Sequence, residues 1–139
     1  MAWLNFNRVT GKIELYAGKA PNHCAASYPN SLGTWPAHNQ ATTTSNGPWP
    51  PGVYKWSHYN THAEAGMMPA CHNTAYGCFG IHVFSVPNRP GIGVHAGRTQ
   101  GQINVIGGKT LGCIRIPPNA MQVVNQTHNE DKITAILAY

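Results

Sequence analysis

Charged side chains are scarce in this 139-residue chain, and carboxylates are the scarcest. Only 9% of the residues are charged, against roughly 25% in an average soluble domain. A glycoside hydrolase needs two carboxylates that flank a sugar bond. The four acidic residues are Glu14, Glu64, Glu130 and Asp131. None of them lies in a glycine-rich, site-like stretch, so the sequence argues against glycosidase chemistry.

Long apolar runs are also missing. No stretch approaches the roughly 20 apolar residues that a membrane-spanning helix requires. Residues 1–16, MAWLNFNRVTGKIELY, lack the charged segment followed by an apolar segment that marks a Sec signal peptide. We therefore expect no membrane span, and a protein that either stays where it is made or leaves by a signal-free route.

Basic residues outnumber acidic ones but form no cluster. The formal net charge is +5, from nine lysines and arginines that are scattered along the chain. No basic run or basic helix face provides the patch that a nucleic acid requires. The surplus instead favours weak attraction to anionic polymers, the cell wall among them.

Glycine, proline and apolar residues are what the chain has in abundance. It contains 15 glycines and 11 prolines, and 42% of its residues are hydrophobic. This composition is typical of a folded domain rich in loops, and the length fits a single domain spanning residues 1–139. We expect that domain to bury a core without help from a metal or a disulfide.

Alternation of apolar and polar residues predicts several strands. AWLNFN and KIELYA form a hairpin around the turn RVTG, and VYKW begins a further strand. FGIHVF and GIGVHAG predict two strands that each carry a histidine, and DKITAILAY predicts the last strand.

The other segments complete a mainly β fold class with one or two short helices. PPNAMQVVNQ predicts a short helix, since proline stands in its first turn and apolar residues follow. Residues 29–52 are rich in proline, glycine, asparagine and threonine, which indicates a long surface loop. Residues 57–78 are polar and histidine-rich, and we expect them to be irregular as well.

Two ligand-binding patterns are present only in fragments. GGKT lacks the glycine five positions before Gly108 that a phosphate-binding loop needs, because Ile103 stands there. A group of histidines and cysteines keeps a zinc protein open as an alternative, although it contains neither H-E-x-x-H nor C-x-x-C. Its members are His58, His62, Cys71, His72, Cys78 and His82. Cys71 and Cys78 could instead form a disulfide in an oxidising compartment.

Cys113 is the strongest candidate nucleophile, with His95 as its base. A cysteine nucleophile needs a base within hydrogen-bond reach. One helix would hold residues 18 positions apart about 27 Å from each other, whereas two neighbouring strands joined by a loop can bring them together. The intervening residues 96–109 are rich in glycine and suit such a loop. A buried structural cysteine remains the competing interpretation.

The residues around Cys113 also suit a nucleophile. Gly112 has no Cβ, which leaves room for a substrate near the backbone. The predicted helix begins just after Cys113, and a helix N-terminus favours both a thiolate and an oxyanion. Arg115 adds positive charge and could bind a substrate carboxylate.

The region from His95 to Arg115 resembles the YkuD-type L,D-transpeptidases. That family carries a histidine, then 14 to 17 residues, then Ser/Thr-His-Gly-Cys. Here His95 is followed by 14 residues and then by Thr110, Leu111, Gly112 and Cys113. NGPWPPGVYKW resembles the stretch where the family's chain enters a core strand, and both ends of the sequence resemble the family's first hairpin and closing strand. The resemblance implies a β-sandwich with one or two short helices and no cofactor or metal.

By this resemblance, the chain would act on tetrapeptide stems of peptidoglycan. Cys113 would attack the carbonyl of the third stem residue, and His95 would serve as base and then as acid. The backbone N–H groups of Gly112 and Cys113 would stabilise the oxyanion. A main-chain carbonyl, of Ala96 or Gly97, would orient His95. Transpeptidation, D-amino-acid exchange and carboxypeptidase activity all stay open, and so does a non-catalytic wall-binding module.

Four further residues are predicted to contact substrate. Arg115 and Arg98 are candidates for a substrate anion, and Thr110 for the active-site loop. His82 either lines the cleft or is a satisfied core histidine. Because GIHV resembles GVHA, His82 is also the rival of His95 as the base.

Three aromatic residues could wall the cleft: Tyr76, Trp49 and Tyr54. A core role is favoured for Trp49 and Tyr54.

One departure from the family pattern points to a subgroup. Leu111 stands where most relatives carry histidine directly before Gly-Cys. Some small L,D-transpeptidase-like proteins share this feature, among them antibacterial effectors of type VI secretion. That likeness implies action in the periplasm or cell wall, reached by a signal-free route, and an immunity protein or a secretion-system component as partner.

Overall fold

A computed structural model describes residues 1–22, 28–39, 48–61, 76–97, 102 and 112–139. Eight strands and one helix are formed by these residues. They are β1 (Ala2–Asn7), β2 (Lys12–Ala17), β3 (Ser31–Pro36), β4 (Gly52–Asn60), β5 (Ile81–Phe84), β6 (Gly93–His95), β7 (Ile114–Arg115), α1 (Pro118–Glu130) and β8 (Ile133–Ala138). The strand order is β3-β2-β1-β8-β4-β5-β6-β7.

The two ends of the chain build one half of the sheet. β1 and β2 pair antiparallel around the predicted turn, and β8 joins β1 as a parallel neighbour. Every residue of β8 except Thr134 is buried, as its nearly continuous apolar sequence suggests. β4 then pairs with the other side of β8 and carries the sheet into its second half.

The sheet curls because the segment after β3 reaches β7 at the opposite edge. The N–H of His38 donates to the carbonyl of Arg115 at 3.1 Å, and the N–H of Arg115 donates back to His38 at 2.9 Å. The N–H of Ala37 donates to the carbonyl of Gly11 in the β1–β2 turn. These bonds bring the two ends of the strand order together around the core.

Helix α1 covers one face of the second half of the sheet. It begins at Pro118, where a proline's missing N–H costs no helical hydrogen bond. Ala120, Met121 and Val124 are buried in the main core cluster, which also contains Val94 and Ile114 from the strands below. No helix in the described ranges is long and apolar enough to cross a membrane.

Most predicted elements are confirmed, and two predicted loops are partly wrong. The hairpin, the two histidine-bearing strands, the closing strand and the short helix are all present. Residues 31–36, placed in a long loop, form β3, because they pair with β2 at an edge and only half-bury alternate side chains. β4 runs on to Asn60, into the segment predicted to be irregular.

Candidate active site

Parallel pairing of β6 with β7 places Cys113 beside the histidine strand. Val94 pairs with Ile114 and His95 pairs with Arg115, so Cys113 lies next to Gly93. His95 is two residues further along the neighbouring strand, which puts the two Cα atoms about 8 Å apart. A thiol and an imidazole can bridge that separation when they project from the same face.

Side-chain alternation assigns Cys113 and His95 to the same face of the sheet. His95 pairs directly with Arg115 and with Ile81, so these three side chains share a face. Cys113 lies directly before β7 and two residues before Arg115, so alternation continued back from β7 puts its side chain on that face too. The structure thus brings together Cys113, His95 and Arg115, three of the predicted site residues.

Cys113 carries a reduced, half-buried thiol. Burial raises the pKa of this thiol, and a hydrogen bond with the Gly93 backbone and the charge of Arg115 oppose the rise. The sequence predicted a thiol activated by a helix N-terminus, but β7 separates Cys113 from α1, which begins at Pro118. The structure therefore does not support the prediction of a thiolate favoured by its surroundings.

Two glycines make the close packing at this face possible. A Cβ on Gly93 would lie 2.0 Å from the carbonyl oxygen of His82, so only glycine fits beside Cys113. A Cβ on Gly97 would lie 2.9 Å from Cζ of Arg115, and Gly97 has a φ of +136° that favours glycine. The buried guanidinium of Arg115 therefore lies against the backbone two residues beyond His95.

The segment Tyr76–Cys78 forms the surroundings of His95. The rings of Tyr76 and His95 meet edge to face with centroids 5.0 Å apart. A Cβ on Gly77 would lie 2.9 Å from the N atom of Gly97, so the two backbones are in close contact. Cys78, the next residue, is disulfide-bonded, and its partner lies outside the described residues. The predicted pairing with Cys71 lies outside them as well.

Asn39 and Trp49 hold the backbone at Cys113, and sequence reasoning did not find this role. Nδ2 of Asn39 donates to the carbonyls of Gly112 at 2.7 Å and of Cys113 at 2.9 Å. The indole N–H of Trp49 donates to the same Gly112 carbonyl at 2.7 Å. Trp49 and Tyr54 are buried in the core, as predicted. No local sequence signal marks this role of Asn39, because the two carbonyls that it bonds are more than 70 positions away.

His82 faces away from Cys113. It pairs with Val94, so its side chain projects from the face that α1 covers. Its Nδ1 accepts the indole N–H of Trp56 at 3.2 Å, and its Nε2 lies 2.7 Å from Oδ1 of Asn125 on α1. Since an indole N–H only donates, Nδ1 is unprotonated and Nε2–H donates to Asn125. The structure thus places His82 as a satisfied core histidine, away from the predicted substrate site.

The free energy of unfolding should depend on pH through His82. Burial, aided by the charge of His128, lowers the pKa of His82 from 6.5 to about 4. The unfolded chain therefore binds a proton more readily, so the stabilisation is complete above pH 6.5 and is lost as pH falls toward 4. We expect a loss of up to about 3 kcal/mol across this range, measured by urea unfolding.

A pair of variants checks whether His82 causes this pH dependence of unfolding. His82→Gln should flatten the pH dependence, because glutamine keeps a donor and an acceptor without taking up a proton. His58→Gln removes an exposed histidine from β4 and serves as the matched control. An equal flattening in both variants would contradict the role given to His82.

The remaining predicted residues divide between described and undescribed segments. Arg98, Thr110 and Leu111 lie outside the described residues, as do His62, Cys71 and His72 of the alternative zinc set. The described members of that set do not converge. His58 is exposed, His82 is bonded to Trp56 and Asn125, and Cys78 is in a disulfide and has no thiolate to offer.

Comparisons with known proteins support the fold. Neither a protein-family profile nor a curated protein sequence matches the chain. A Bdellovibrio bacteriovorus protein, Bd1075, superposes with a TM-score of 0.62 at 15% identity, covering 99% of this chain and 47% of that protein. L,D-transpeptidase 1 of Mycobacterium tuberculosis superposes with a TM-score of 0.51 at 14% identity, covering 99% of this chain and 60% of that protein. The chain thus has the predicted fold, a mainly β, YkuD-like sandwich with a short helix.

Proposed function

We propose that this chain is a cysteine-dependent acyltransferase of the L,D-transpeptidase type, acting on peptidoglycan tetrapeptide stems. The observation that carries the proposal is the parallel pairing of β6 with β7, which places Cys113, directly before β7, beside Gly93 on the strand that carries His95. That placement occurs in a fold shared with an L,D-transpeptidase. Because fold alone does not fix activity, the proposal depends on the chemistry of these two residues.

The first half-reaction forms a thioester. His95 takes the thiol proton, since burial raises the pKa of Cys113 and leaves little thiolate at neutral pH. The sulfur attacks the carbonyl carbon of the third stem residue, and backbone N–H groups of Gly112 and Cys113 stabilise the oxyanion. The C–N bond to D-Ala then breaks, and His95 returns the proton to the departing amine.

The second half-reaction releases the acyl group. An amine from another stem, or a D-amino acid, loses a proton to His95 and attacks the thioester carbonyl. A new amide forms and the thiol of Cys113 is restored. When water attacks instead, the product is a shortened stem with a carboxylate, which is carboxypeptidase activity.

Substrate binding is assigned to residues near the thiol. Arg115 is buried on the face of Cys113 and His95, and we propose that its charge attracts a stem carboxylate. Arg98 and Thr110 remain predicted contacts, whereas His82 is left out because its side chain lies on the α1 face.

The disulfide at Cys78 supports action in an oxidising compartment such as the periplasm. A role as a secreted antibacterial effector, with an immunity protein or a secretion-system component as partner, rests on the sequence resemblance alone.

The test is capture of the thioester. Wild-type protein is mixed with a disaccharide tetrapeptide and quenched in acid, and its intact mass is measured. We expect an added mass equal to the muropeptide minus D-Ala, mapped by peptide digestion to Cys113. A muropeptide with L-Ala at the fourth position is the control substrate.

An adduct at another residue, or D-Ala release without any adduct at Cys113, would refute the proposal. Sedimentation of the protein with sacculi, in the absence of adduct and of product, would favour the wall-binding alternative.

A further inference from the structure

We propose that Asn39 and Trp49 are positioning residues that aim the backbone N–H of Cys113 at the oxyanion. The inference rests on the proposed role of Cys113 as nucleophile, and it names the residues that make its backbone ready for attack. It starts from the two donors that converge on the carbonyl of Gly112, at 2.7 Å each.

A planar peptide converts that contact into an orientation. The Gly112 carbonyl and the Cys113 N–H belong to the same trans peptide, so they point in opposite directions. With the carbonyl held against Asn39 and Trp49, the Cys113 N–H points away from them. Gly112 has a φ of +131°, a conformation that glycine tolerates and other residues rarely adopt.

Asn39 and Trp49 together form a clamp on the Gly112 carbonyl, and this clamp is itself rigid. Asn39 is buried, and its Oδ1 accepts the backbone N–H of Trp49 at 2.8 Å, so both atoms of its amide are engaged. The Trp49 ring is fully buried and packs edge to face on Tyr54 and Phe84, with centroids 5.7 and 6.2 Å away. The His38–Arg115 backbone bonds tie the same segment to β7. The N–H of Cys113 is thereby held in one orientation, as a preorganised oxyanion donor must be.

The test compares two reactions of the same thiol. Acylation by p-nitrophenyl acetate passes through a tetrahedral oxyanion, whereas alkylation by iodoacetamide does not. A lost oxyanion donor should therefore slow acylation and spare alkylation. Cys113→Ala subtracts reaction at any other site, and glutathione sets the acylation-to-alkylation ratio of a thiol without an oxyanion donor.

Two variants remove the clamp in different ways. Asn39→Asp keeps the acceptor for Trp49 but sets an oxygen against the two carbonyls. Trp49→Phe removes the indole donor and keeps an aromatic ring in the core. We expect the acylation-to-alkylation ratio to fall about 100-fold in Asn39→Asp and about 10-fold in Trp49→Phe, as expected when a donor is misaligned.

The chain supplies matched controls whose hydrogen bonds go to His82 and Phe79 rather than to Gly112. Trp56→Phe also removes an indole hydrogen bond, a part-buried one to His82, and Asn125→Asp changes an amide that bridges His82 and the Phe79 carbonyl. Both should lower the melting temperature and leave the ratio within about twofold of wild type. If Asn39 and Trp49 had a purely structural role, all four variants would show a lower melting temperature and an unchanged acylation-to-alkylation ratio.

Three results would overturn the proposal. One is a folded Trp49→Phe with a wild-type ratio, which decides the matter even if Asn39→Asp does not fold. Another is an equal fall in Trp56→Phe. The third is a wild-type ratio no higher than that of glutathione. If the ratio depends on the clamp while muropeptides are not turned over, the positioning role stands and the substrate proposal fails.

Discussion

Replacing Cys113 with alanine is expected to lower D-Ala release from tetrapeptide stems by at least about 1,000-fold, because the proposed acyl intermediate forms on its thiol. The thiol is hydrogen-bonded to the backbone of Gly93, on the strand that carries His95, and is influenced by the charge of Arg115. Release is measured by mass spectrometry of muropeptides after incubation with purified protein.

A second variant separates loss of the nucleophile from loss of the fold. Cys113→Ser keeps the size and position of the side chain, but its hydroxyl ionises far less readily than a thiol. We expect it to be as inactive as Cys113→Ala and to unfold at the same urea concentration as wild type. Turnover by Cys113→Ala at even a tenth of the wild-type rate would show that Cys113 is a structural residue.

Local pattern was enough to predict most of the strands and the helix, and it made Cys113 and His95 the candidate reactive pair. β1 and β2 alternate clearly, and α1 has proline in its first turn, so short-range physics fixes each of them. The sequence between His95 and Cys113 is rich in glycine, which favoured two strands rather than one helix as the way to bring them together. Parallel pairing of β6 and β7 confirms that they are neighbours.

What the sequence did not predict depends on contacts between distant segments. β3 forms because β2 offers an edge, although its own sequence shows little alternation. The bonds from Asn39 to Gly112 and Cys113 cross 73 and 74 positions. The raised pKa of Cys113 follows from burial by the whole fold. His82 and His95 look alike in sequence, and only strand register separates them onto opposite faces.

That separation predicts opposite results for the two histidines. His95→Gln should lower kcat/KM for a tetrapeptide stem by about 100- to 10,000-fold, the range expected when a general base is removed. His82→Gln should keep kcat/KM within about threefold of wild type and change the pH dependence of unfolding instead. Both rates are measured at pH 7.5, where His82 is neutral in the folded protein.

Chemical rescue identifies the base directly. His95 is almost fully buried and its ring contacts Tyr76, so His95→Ala leaves a ring-sized space next to Tyr76, on the strand beside Cys113. Added imidazole should occupy that space and restore turnover at least about tenfold, since it supplies the missing proton acceptor. The same imidazole should do nothing for Cys113→Ala, which lacks the group to be deprotonated. If instead His82→Ala lost turnover and regained it with imidazole, the base would be His82, and the assignment of faces from strand register would be wrong.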